Sequence, residues 1–400
     1  MDKKKLLFYS KQTIEQDDVN EVVKALTSDF ITTGPYVEKF EKKISELTHA
    51  KYAVSCSSGT AALIMAYNSI KFSKAKRVLV PSMTFVGTAN AAKIIGLSVE
   101  FVDCYESNGL ISIEDLEKKL KKKKYDLVVP VHLNGSTSNL EKIYYLSKKY
   151  KFKIIDDASH ALGSQYFNSK GKKSMIGECI YTDMTTFSFH PVKNVTMGEG
   201  GVVTTNNFQT YKILRKLRNH GIERESKRFV NRGLAYSQKN KLNPWYYEVN
   251  ELGFNFRSSD INCALGYNQL KKLKYFKDKR LSLIKFYEKF IGESDMIDIV
   301  SLSKIKGVSW HLFVLKINFS LLKIDRAKIM EELLKKQIRT QVHYIPVHKM
   351  PLYKNNKLRL EGTMNYYESI LSFPLFPKMT EKDVKYIVEC LESILIKFRK

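Results

Sequence analysis

Short apolar runs alternate with stretches of helical periodicity between about residues 50 and 210, and this alternation limits the folds open to the chain. Strands separated by helices require crossover connections, so the pattern predicts a largely parallel sheet covered by helices on both faces. The predicted strands are residues 77–81, 99–103, 125–131, 152–156, 185–189 and 201–205, with helices at 60–70 and 140–150 among those between them. Active sites of such sheets form where the parallel strands end, so functional residues should follow the strands.

The length of 400 residues exceeds what one hydrophobic core usually supports, so we expect two domains. The expected division is a large domain at residues 1–250 and a smaller C-terminal α/β domain at residues 251–400. Residues 222–250 are polar and aromatic, and we predict a long loop there. Ser259 predicts the start of a long helix that continues to about residue 290.

The net charge of +26 raises the question of a nucleic-acid partner. Proteins that bind nucleic acids usually concentrate basic residues on one face, often beside aromatic side chains that stack on bases. Here the lysines are spread along the whole chain, and the densest block, residues 118–124, stands just before an apolar strand. We therefore expect no nucleic-acid partner, although a positive field would also attract an anionic cofactor and an anionic substrate.

Cysteine spacing and hydropathy limit the function further. The five cysteines are scattered with no C-x-x-C pair, so we expect reduced thiols and neither a metal site nor a disulfide framework. No apolar run approaches the roughly 18 residues that a membrane helix needs. The basic residues 1–5 are followed by an apolar stretch of only Leu6 to Tyr9, which is too short for a signal peptide. The expected location is the cytoplasm, without a membrane partner.

A serine, a lysine five positions later and a glycine-rich turn follow one another near residue 190. Ser188 stands near the end of a predicted strand, Lys193 comes next, and Gly198-Glu199-Gly200-Gly201 leads into another strand. A lysine that forms a Schiff base must be deprotonated, which requires partial burial or a nearby cation. A serine hydroxyl can bind a phosphate oxygen, and glycines let the backbone pass close to a cofactor. The alternative is a surface lysine in a connecting loop.

The strand predicted at residues 152–156 ends at two successive carboxylates, Asp156 and Asp157, and small residues follow. Pyridoxal phosphate (PLP) chemistry needs a carboxylate beside the pyridine nitrogen, which keeps the ring protonated as an electron sink. We assign this role to Asp157 and expect Asp156 to accept local backbone hydrogen bonds. The small residues after Asp157 leave room for a flat ring. For His160 the alternative is a buried histidine with a purely structural role.

Two further segments carry weaker signals. Ser57-Ser58-Gly59-Thr60 precedes an apolar helix, whose free amides and positive dipole end could bind a phosphate. Serine and glycine before a helix are also ordinary capping residues. Phe85 follows another predicted strand and could stack on a cofactor ring, although an aromatic residue there is more often part of the core.

In their order along the chain these segments resemble the DegT/DnrJ/EryC1/StrS family of sugar-nucleotide aminotransferases. The motifs that carry the resemblance are Gly34-Pro35, Ser57-Ser58-Gly59-Thr60, Pro81-x-x-Thr84-Phe85, Asp156-Asp157-Ala158-Ser159-His160, Ser188-Phe189-His190-x-x-Lys193, Gly198-Glu199-Gly200-Gly201, Arg218-Asn219-His220-Gly221, Glu251-Leu252-Gly253-Phe254-Asn255-Phe256-Arg257 and Gln341-Val342-His343-Tyr344. The resemblance covers nearly the full chain. It implies the α/β aspartate-aminotransferase fold (PLP fold type I), with a large domain around a mixed, mostly parallel sheet and a smaller C-terminal α/β domain. It also implies the cofactor pyridoxal 5'-phosphate.

The resemblance implies roles for individual residues as well. Lys193 would be the catalytic lysine that holds the cofactor as a Schiff base, and Asp157 the partner of the pyridine nitrogen. Phe85 would stack on the ring, and His160 would lie near its phenolic oxygen. Asn255 would reach the phosphate of the other subunit's cofactor, which implies a homodimer with shared active sites. The implied cofactor-binding residues also include Ser58, Gly59, Thr60 and Ser188.

Within the family, the likeness is greatest to the aminotransferases of pseudaminic-acid synthesis. It implies transfer of the amino group of L-glutamate to C4 of a UDP-linked 4-keto-6-deoxy-N-acetylhexosamine. Two departures, a longer aromatic segment at residues 222–249 and Gly87 in place of a common alanine, bear on the substrate rather than on the chemistry. The implied substrate-binding residues are Tyr9, Ile31, Thr32, Ser188, Asn255, His343 and Tyr344.

Three alternatives stay open. An aminotransferase for another nucleotide-linked keto sugar, dTDP- or UDP-linked and 4-keto or 3-keto, would use the same chemistry. A sugar dehydratase of the same family would carry histidine in place of Lys193, so the lysine argues against that reaction. The third is a binding protein. A nucleic-acid-binding protein would show salt-dependent retention on DNA. A PLP-dependent regulator would need an added DNA-binding module, for which no residues are left over.

Overall fold

The computed structural model describes residues 6–355 and 357–400, so the basic residues 1–5 considered above lie outside the described part of the chain. The helices of the described residues are α1 (Gln16–Leu26), α2 (Pro35–Thr48), α3 (Gly59–Asn68), α4 (Gly87–Ile94), α5 (Ile113–Lys122), α6 (Leu140–Tyr150), α7 (Phe208–Arg218), α8 (Arg232–Ala235), α9 (Asp260–Lys271), α10 (Leu273–Ile291), α11 (Arg326–Lys335), α12 (Glu361–Ser369) and α13 (Glu381–Lys397). The strands are β1 (Tyr52–Cys56), β2 (Arg77–Pro81), β3 (Ser98–Val102), β4 (Leu127–Val128), β5 (Lys153–Asp157), β6 (Gln165–Phe167), β7 (Lys173–Met175), β8 (Met184–Ser188), β9 (Gly201–Thr205), β10 (Ile222–Glu223), β11 (Glu248–Val249), β12 (Ile297–Ile299), β13 (Phe313–Ile317) and β14 (Ile370–Phe373).

The central sheet has seven strands in the order β1-β9-β8-β5-β4-β2-β3. Strands β3, β2, β4, β5 and β8 run parallel to one another, as the alternation of strands and helices predicts. Strand β9 is antiparallel to β8, because the connection between them contains no crossover helix. Strand β1 pairs with β9 and was not predicted, since its Tyr-Ala-Val-Ser-Cys sequence is short and only partly apolar.

Helices cover both faces of this sheet. Successive residues of a strand point to opposite faces, and β2 shows the division. Val78 and Val80 pack in the core that includes α3, whose residues from Ala61 to Tyr67 are all buried. Leu79 packs in the core under α5 and α6. No helix among the described residues is long and apolar enough to span a membrane.

A second, three-stranded antiparallel sheet, β12-β13-β14, lies in the C-terminal part of the chain. Helices α10, α11 and α13 pack around it. The long helix predicted from Ser259 is divided near Lys272 into α9 and α10, and the Ser259 hydroxyl caps α9 by accepting a hydrogen bond from the Asn262 amide. Helix α9 packs against α1 and α2. The domain boundary expected near residue 250 stays a prediction.

Residues 222–250 contain more regular structure than the predicted loop. Strands β10 and β11 pair at the two ends of the segment, and α8 lies between them. Glu248, in β11, connects the end of this segment to its central part. Its carboxylate accepts hydrogen bonds from the backbone amides of Val230 (2.8 Å) and Asn231 (2.7 Å). Buried acceptors of this kind hold a surface segment in one conformation.

Candidate active site

A cavity of about 420 Å³ lies at the carboxyl ends of β2, β5 and β8. This is the edge of a parallel sheet at which ligands usually bind. Most of the site residues predicted from the sequence line this one cavity. They are Tyr9, Ser58, Gly59, Thr60, Phe85, Asp157, His160, Ser188, Lys193, His343 and Tyr344.

The first turn of α3 forms one wall of the cavity. Ser58 caps the helix, since its hydroxyl accepts a hydrogen bond from the Ala61 amide at 3.1 Å. Gly59 approaches β8 so closely that a Cβ atom there would lie 2.7 Å from Cβ of Ser188. The helix N-terminus, the Thr60 side chain and the Ser188 hydroxyl therefore face the same space. Free amides and the positive end of the helix dipole favour an anion at this wall.

Asp157, the last residue of β5, presents its carboxylate to the cavity in a defined orientation. Thr88 donates a hydrogen bond to Oδ2 from its hydroxyl at 2.6 Å. Ser159 donates two hydrogen bonds to Oδ1, from its amide at 3.1 Å and its hydroxyl at 2.6 Å. Three donors hold the carboxylate, so it is preorganised for a group that binds from the cavity.

Asp156 points to the other face of the strand, as expected for the neighbour of Asp157. The prediction that its carboxylate accepts backbone hydrogen bonds is wrong. The carboxylate is buried, accepts a hydrogen bond from the Thr185 hydroxyl at 3.3 Å and lies 3.5 Å from Nε2 of His132. The nearby backbone is engaged in pairing between β5 and β8, which leaves side chains as the partners.

Lys193 stands in the turn that follows β8. Its amide donates to the carbonyl of His190 at 2.9 Å, and its half-buried side chain lines the cavity. Burial lowers the pKa of the Lys193 amine to about 8, and the attraction of Asp157 opposes part of that shift. A lowered pKa gives the amine a substantial deprotonated fraction near neutral pH, which a nucleophilic lysine requires.

His160 and Tyr344 form a hydrogen-bonded pair on the wall of the cavity. Nε2 of His160 lies 2.9 Å from the Tyr344 hydroxyl. Nδ1 of His160 accepts a hydrogen bond from the Asn134 amide at 3.3 Å, so the ring proton of the neutral histidine is on Nε2 and is donated to Tyr344. Burial, assisted by the charge of Lys193, lowers the pKa of His160 well below its usual value. The imidazole is therefore neutral, and the hydroxyl hydrogen of Tyr344 is free to point at a ligand.

Phe85 and His343 complete the walls. Phe85 is 57% exposed in this chain, and its ring centroid is 5.8 Å from that of Tyr344. An exposed ring at the edge of a cavity offers a face on which a flat ligand can stack. Nδ1 of His343 lies 2.9 Å from the Ser372 hydroxyl, and burial lowers the pKa of its ring to about 3. His343 is thus a neutral polar group.

The cavity is also lined by residues that were not predicted as site residues. Thr88 follows Phe85 by about one helical turn, and its spacing from Thr84 at i and i+4 is a signal that could have identified it. His311 belongs to the C-terminal part of the chain, and its ring centroid is 4.3 Å from that of His160. No local sequence pattern links His311 to the other motifs. The missed polar residues are Thr84, Thr88, Ser159, His190, Glu199 and His311.

Three predicted site residues lie outside the cavity of this chain. Ile31 and Thr32 are exposed, and Thr32 pairs with Ser259 at the start of α9. Asn255 is also exposed, and its backbone pairs with Asn219. The structure of one chain therefore does not bring Ile31, Thr32 or Asn255 together with Lys193, and their binding roles stay predictions.

The cavity has the groups that a flat, phosphorylated ring would need. They are an anion-binding wall at the start of α3, the oriented carboxylate of Asp157 and the Lys193 amine, whose pKa is lowered to about 8. The fold and this site define the class of the protein: an α/β enzyme that binds such a ring next to a reactive lysine.

Comparison with known proteins identifies the family. Residues 12–392 match the DegT/DnrJ/EryC1/StrS aminotransferase family, and the chain belongs to it, as the sequence motifs predict. A UDP-4-amino-4,6-dideoxy-N-acetyl-beta-L-altrosamine transaminase of Campylobacter jejuni is 37% identical over 99% of both chains. An uncharacterised protein of Methanocaldococcus jannaschii is 34% identical over 96% of both chains.

Solved structures agree with this assignment. PseC of Helicobacter pylori, an aminotransferase involved in the biosynthesis of pseudaminic acid, has a TM-score of 0.89 and 27% identity, covering 98% of this chain and 100% of its own. NtdA of Bacillus subtilis, solved with its cofactor PMP, has a TM-score of 0.80 and 28% identity, covering 96% and 83%. The predicted aspartate-aminotransferase fold is confirmed.

Proposed function

We propose that this protein is a PLP-dependent aminotransferase that transfers the amino group of L-glutamate to C4 of a UDP-linked 4-keto-6-deoxy-N-acetylhexosamine. The main support is that Lys193 and Asp157 line the same cavity. The pKa of Lys193 is lowered to about 8, and the Asp157 carboxylate accepts hydrogen bonds from three donor groups. The substrate follows the names of the Campylobacter and Helicobacter relatives. The product enters the synthesis of a surface glycan of the pseudaminic-acid type.

The residues of the cavity fit the cofactor. The amides at the start of α3, together with the hydroxyls of Thr60 and Ser188, take the phosphate. The Asp157 carboxylate holds the proton on the pyridine nitrogen, and Phe85 stacks on the ring. When bound, PLP supplies an electron sink for the charge left on a carbon that loses a proton.

Lys193 does two kinds of work in this proposal. Its amine would hold the cofactor, and as a free base it would move a proton at the substrate carbon. A base works best when its pKa is near the operating pH, and a value of about 8 meets that condition. Glutamate and the keto sugar use the same cavity in turn, so we expect ping-pong kinetics.

Neutral polar groups at the mouth of the cavity suit a sugar. His343 has its pKa lowered to about 3 by burial, and Tyr344 receives the hydrogen bond of His160. Tyr9 lies beside His343 with ring centroids 5.0 Å apart. These three side chains can exchange hydrogen bonds with hydroxyl and carbonyl groups without placing a charge next to them. The overall charge of +26 favours approach of the anionic nucleotide.

A homodimer with shared sites is part of the proposal. Asn255 is exposed and lies outside its own chain's cavity, so it is free to complete the phosphate site of a second copy. Large apolar side chains near Ile31 and Asn255 in the sequence are exposed, with Phe30 at 56% beside the former and Leu252 at 88% beside the latter. Exposed apolar surface of this kind marks protein interfaces. Free thiols at the cysteines fit the expected cytoplasmic location.

A substrate panel tests the proposed function. The purified protein is incubated with PLP, L-glutamate and matched UDP- and dTDP-linked 4-keto and 3-keto sugars, with release of 2-oxoglutarate and the aminated sugar as readouts. We expect amination at C4 of the UDP-linked N-acetyl sugar, and none with Lys193→Ala. Preference for a dTDP-linked or 3-keto sugar would leave an aminotransferase but reject the substrate.

A further inference from the structure

Arg280 is a buried cation in contact with the backbone of Lys193. It stands in the middle of α10 and is only 2% exposed. Its Nη2 donates to the Lys193 carbonyl at 3.4 Å, and its Nη1 donates to the Asn194 carbonyl at 3.3 Å. One guanidinium therefore bridges two successive carbonyl groups in the turn that carries the reactive lysine.

The burial of Arg280 has no electrostatic compensation in the described part of the chain. No ion pair of residues 6–355 and 357–400 includes Arg280, its Nε has no hydrogen-bond partner, and burial lowers its pKa to about 10. A buried cation without an opposite charge costs stability, and an apolar side chain of similar length would fill the position without that cost. What distinguishes arginine here is its planar fork of donors, which reaches two acceptors at once.

Side chains from other elements hold the same turn. The Ser10 hydroxyl donates to the Val192 carbonyl at 3.0 Å. The Asn194 side chain donates to the Ser309 carbonyl at 3.0 Å and to its hydroxyl at 2.6 Å. Carbonyls of three successive residues, 192 to 194, thus accept from side chains, and α10 provides two of those bonds through Arg280. The backbone is held on both sides of Lys193, so its side chain enters the cavity from a defined position.

We propose that Arg280 is a positioning residue for Lys193, which bridges two carbonyls of its turn and so holds the amine in the cavity. This inference rests on the proposed function, in which Lys193 is the reacting amine. The charge of Arg280 also reaches the cavity. Burial chiefly lowers the pKa of His311, which lines the cavity, and the charge of Arg280 contributes to that shift. Loss of Arg280 should loosen the turn and let the Lys193 amine leave its buried position. Since burial is what lowers the pKa of Lys193, that pKa should then rise towards its ordinary value.

The test measures the reactivity of Lys193 in the cofactor-free full-length protein. Each variant is treated at pH 8 with a lysine-acylating reagent, and the labelling of Lys193 is measured by peptide mass spectrometry relative to the exposed Lys148. We expect Arg280→Met to lower this ratio several-fold, because an amine that is no longer held in its buried position has a higher pKa and is more fully protonated at pH 8. Arg280→Lys keeps the charge but reaches one carbonyl, so about a twofold loss is expected.

Tyr287→Phe is the matched control on the same helix. It removes a buried hydrogen bond from the Tyr287 hydroxyl to the Pro374 carbonyl, at 2.8 Å, away from the cavity. A purely structural role for Arg280 predicts that both variants lower the melting temperature and leave the Lys193 ratio unchanged. Our inference predicts a changed ratio in the Arg280 variants alone.

The outcomes separate the inference from the proposed function. A folded Arg280→Met protein with the wild-type ratio overturns the positioning role. If Arg280→Met does not fold, Arg280→Lys decides, since a wild-type ratio rejects the inference and a reduced ratio supports it. The labelling uses neither PLP nor substrate. Failure of the proposed function is detected independently, by borohydride reduction of the PLP-loaded wild type, which would then place the cofactor on another lysine.

Discussion

The Thr88 hydroxyl donates a hydrogen bond of 2.6 Å to Oδ2 of Asp157, across 69 residues of sequence. Thr88 is itself held, because its hydroxyl lies 2.8 Å from that of Thr84, and its carbonyl accepts from the buried Tyr67 hydroxyl. The first turn of α4 therefore sets the direction of the carboxylate that we assign to the pyridine nitrogen.

Thr88→Val should weaken cofactor binding and turnover while leaving the fold intact. The change keeps the shape of the side chain and removes one donor to a charged acceptor, which is commonly worth about 1.5–3 kcal/mol, so we expect about a tenfold loss or more. Cofactor affinity from absorbance titration and kcat from 2-oxoglutarate release measure it. Thr88→Ser restores the donor and should recover most of the activity. Wild-type cofactor affinity and kcat in Thr88→Val would mean that the hydrogen bond to Asp157 does not matter.

The two neighbouring aspartates should differ sharply. Asp157→Asn removes the charge proposed to hold the pyridine proton, and we expect roughly a hundredfold loss of kcat, since one partner of a buried charge pair is commonly worth a few kcal/mol. Asp156→Asn changes a side chain that contacts Thr185 and His132 on the other face of β5. Its main effect should therefore be on the melting temperature. Similar kinetic defects in both variants would reject the assignment of Asp157.

Reaction of the cofactor-free protein with PLP should follow the ionisation of Lys193. Burial lowers its pKa from 10.5 to about 8, so the amine is charged below that pH and free above it. At pH 7 about one molecule in ten then has the free amine, compared with about one in three thousand for an ordinary lysine. Stopped-flow absorbance across pH 6 to 10 should show a rate that rises with a midpoint near pH 8, well below the pKa of an ordinary lysine. A rate still rising steeply at pH 10 would mean that burial does not activate this amine.

The shared-site proposal can be tested with mixed dimers. Lys193→Ala subunits and an inactive Asn255 variant, coexpressed with different tags, give a heterodimer in which one site carries both lesions. If Asn255 completes the neighbouring site, the other site is intact and about half of the wild-type activity per dimer should return. If Asn255 acts only within its own chain, each site has one lesion, and the mixed dimer should be as inactive as its parents.

The sequence predicted the elements and residues whose signals are local. Strands β2 and β9 have the predicted bounds, because each contains two valines and has a turn-forming residue, Pro81 or Gly201, at one end. Lys193 and Asp157 were identified because the chemistry of each requires a motif that follows a single strand. Phe85, His160 and Tyr344 were also predicted as site residues, and they line the cavity.

What the sequence did not predict depends on tertiary packing. Thr88 acts on a carboxylate from another strand, and His311 reaches His160 from the C-terminal part of the chain. In the sequence Arg280 is one of many basic residues on an amphipathic helix. Only the structure shows that it is buried and bonded to the Lys193 turn. The division of the long helix near Lys272 has no glycine or proline to signal it. These relationships connect residues that no periodicity or motif links.

Chemical trapping of the cofactor tests directly whether Lys193 is the residue that holds it. The yellow PLP-loaded protein is reduced with borohydride, digested and mapped by mass spectrometry, with Lys193→Ala as the control. We expect one reduced cofactor per chain, on Lys193, and we expect the Lys193→Ala variant to show neither yellow colour nor label. A label on another lysine of the wild type, or a label that persists in Lys193→Ala, would contradict the assignment of Lys193 as the residue that holds the cofactor.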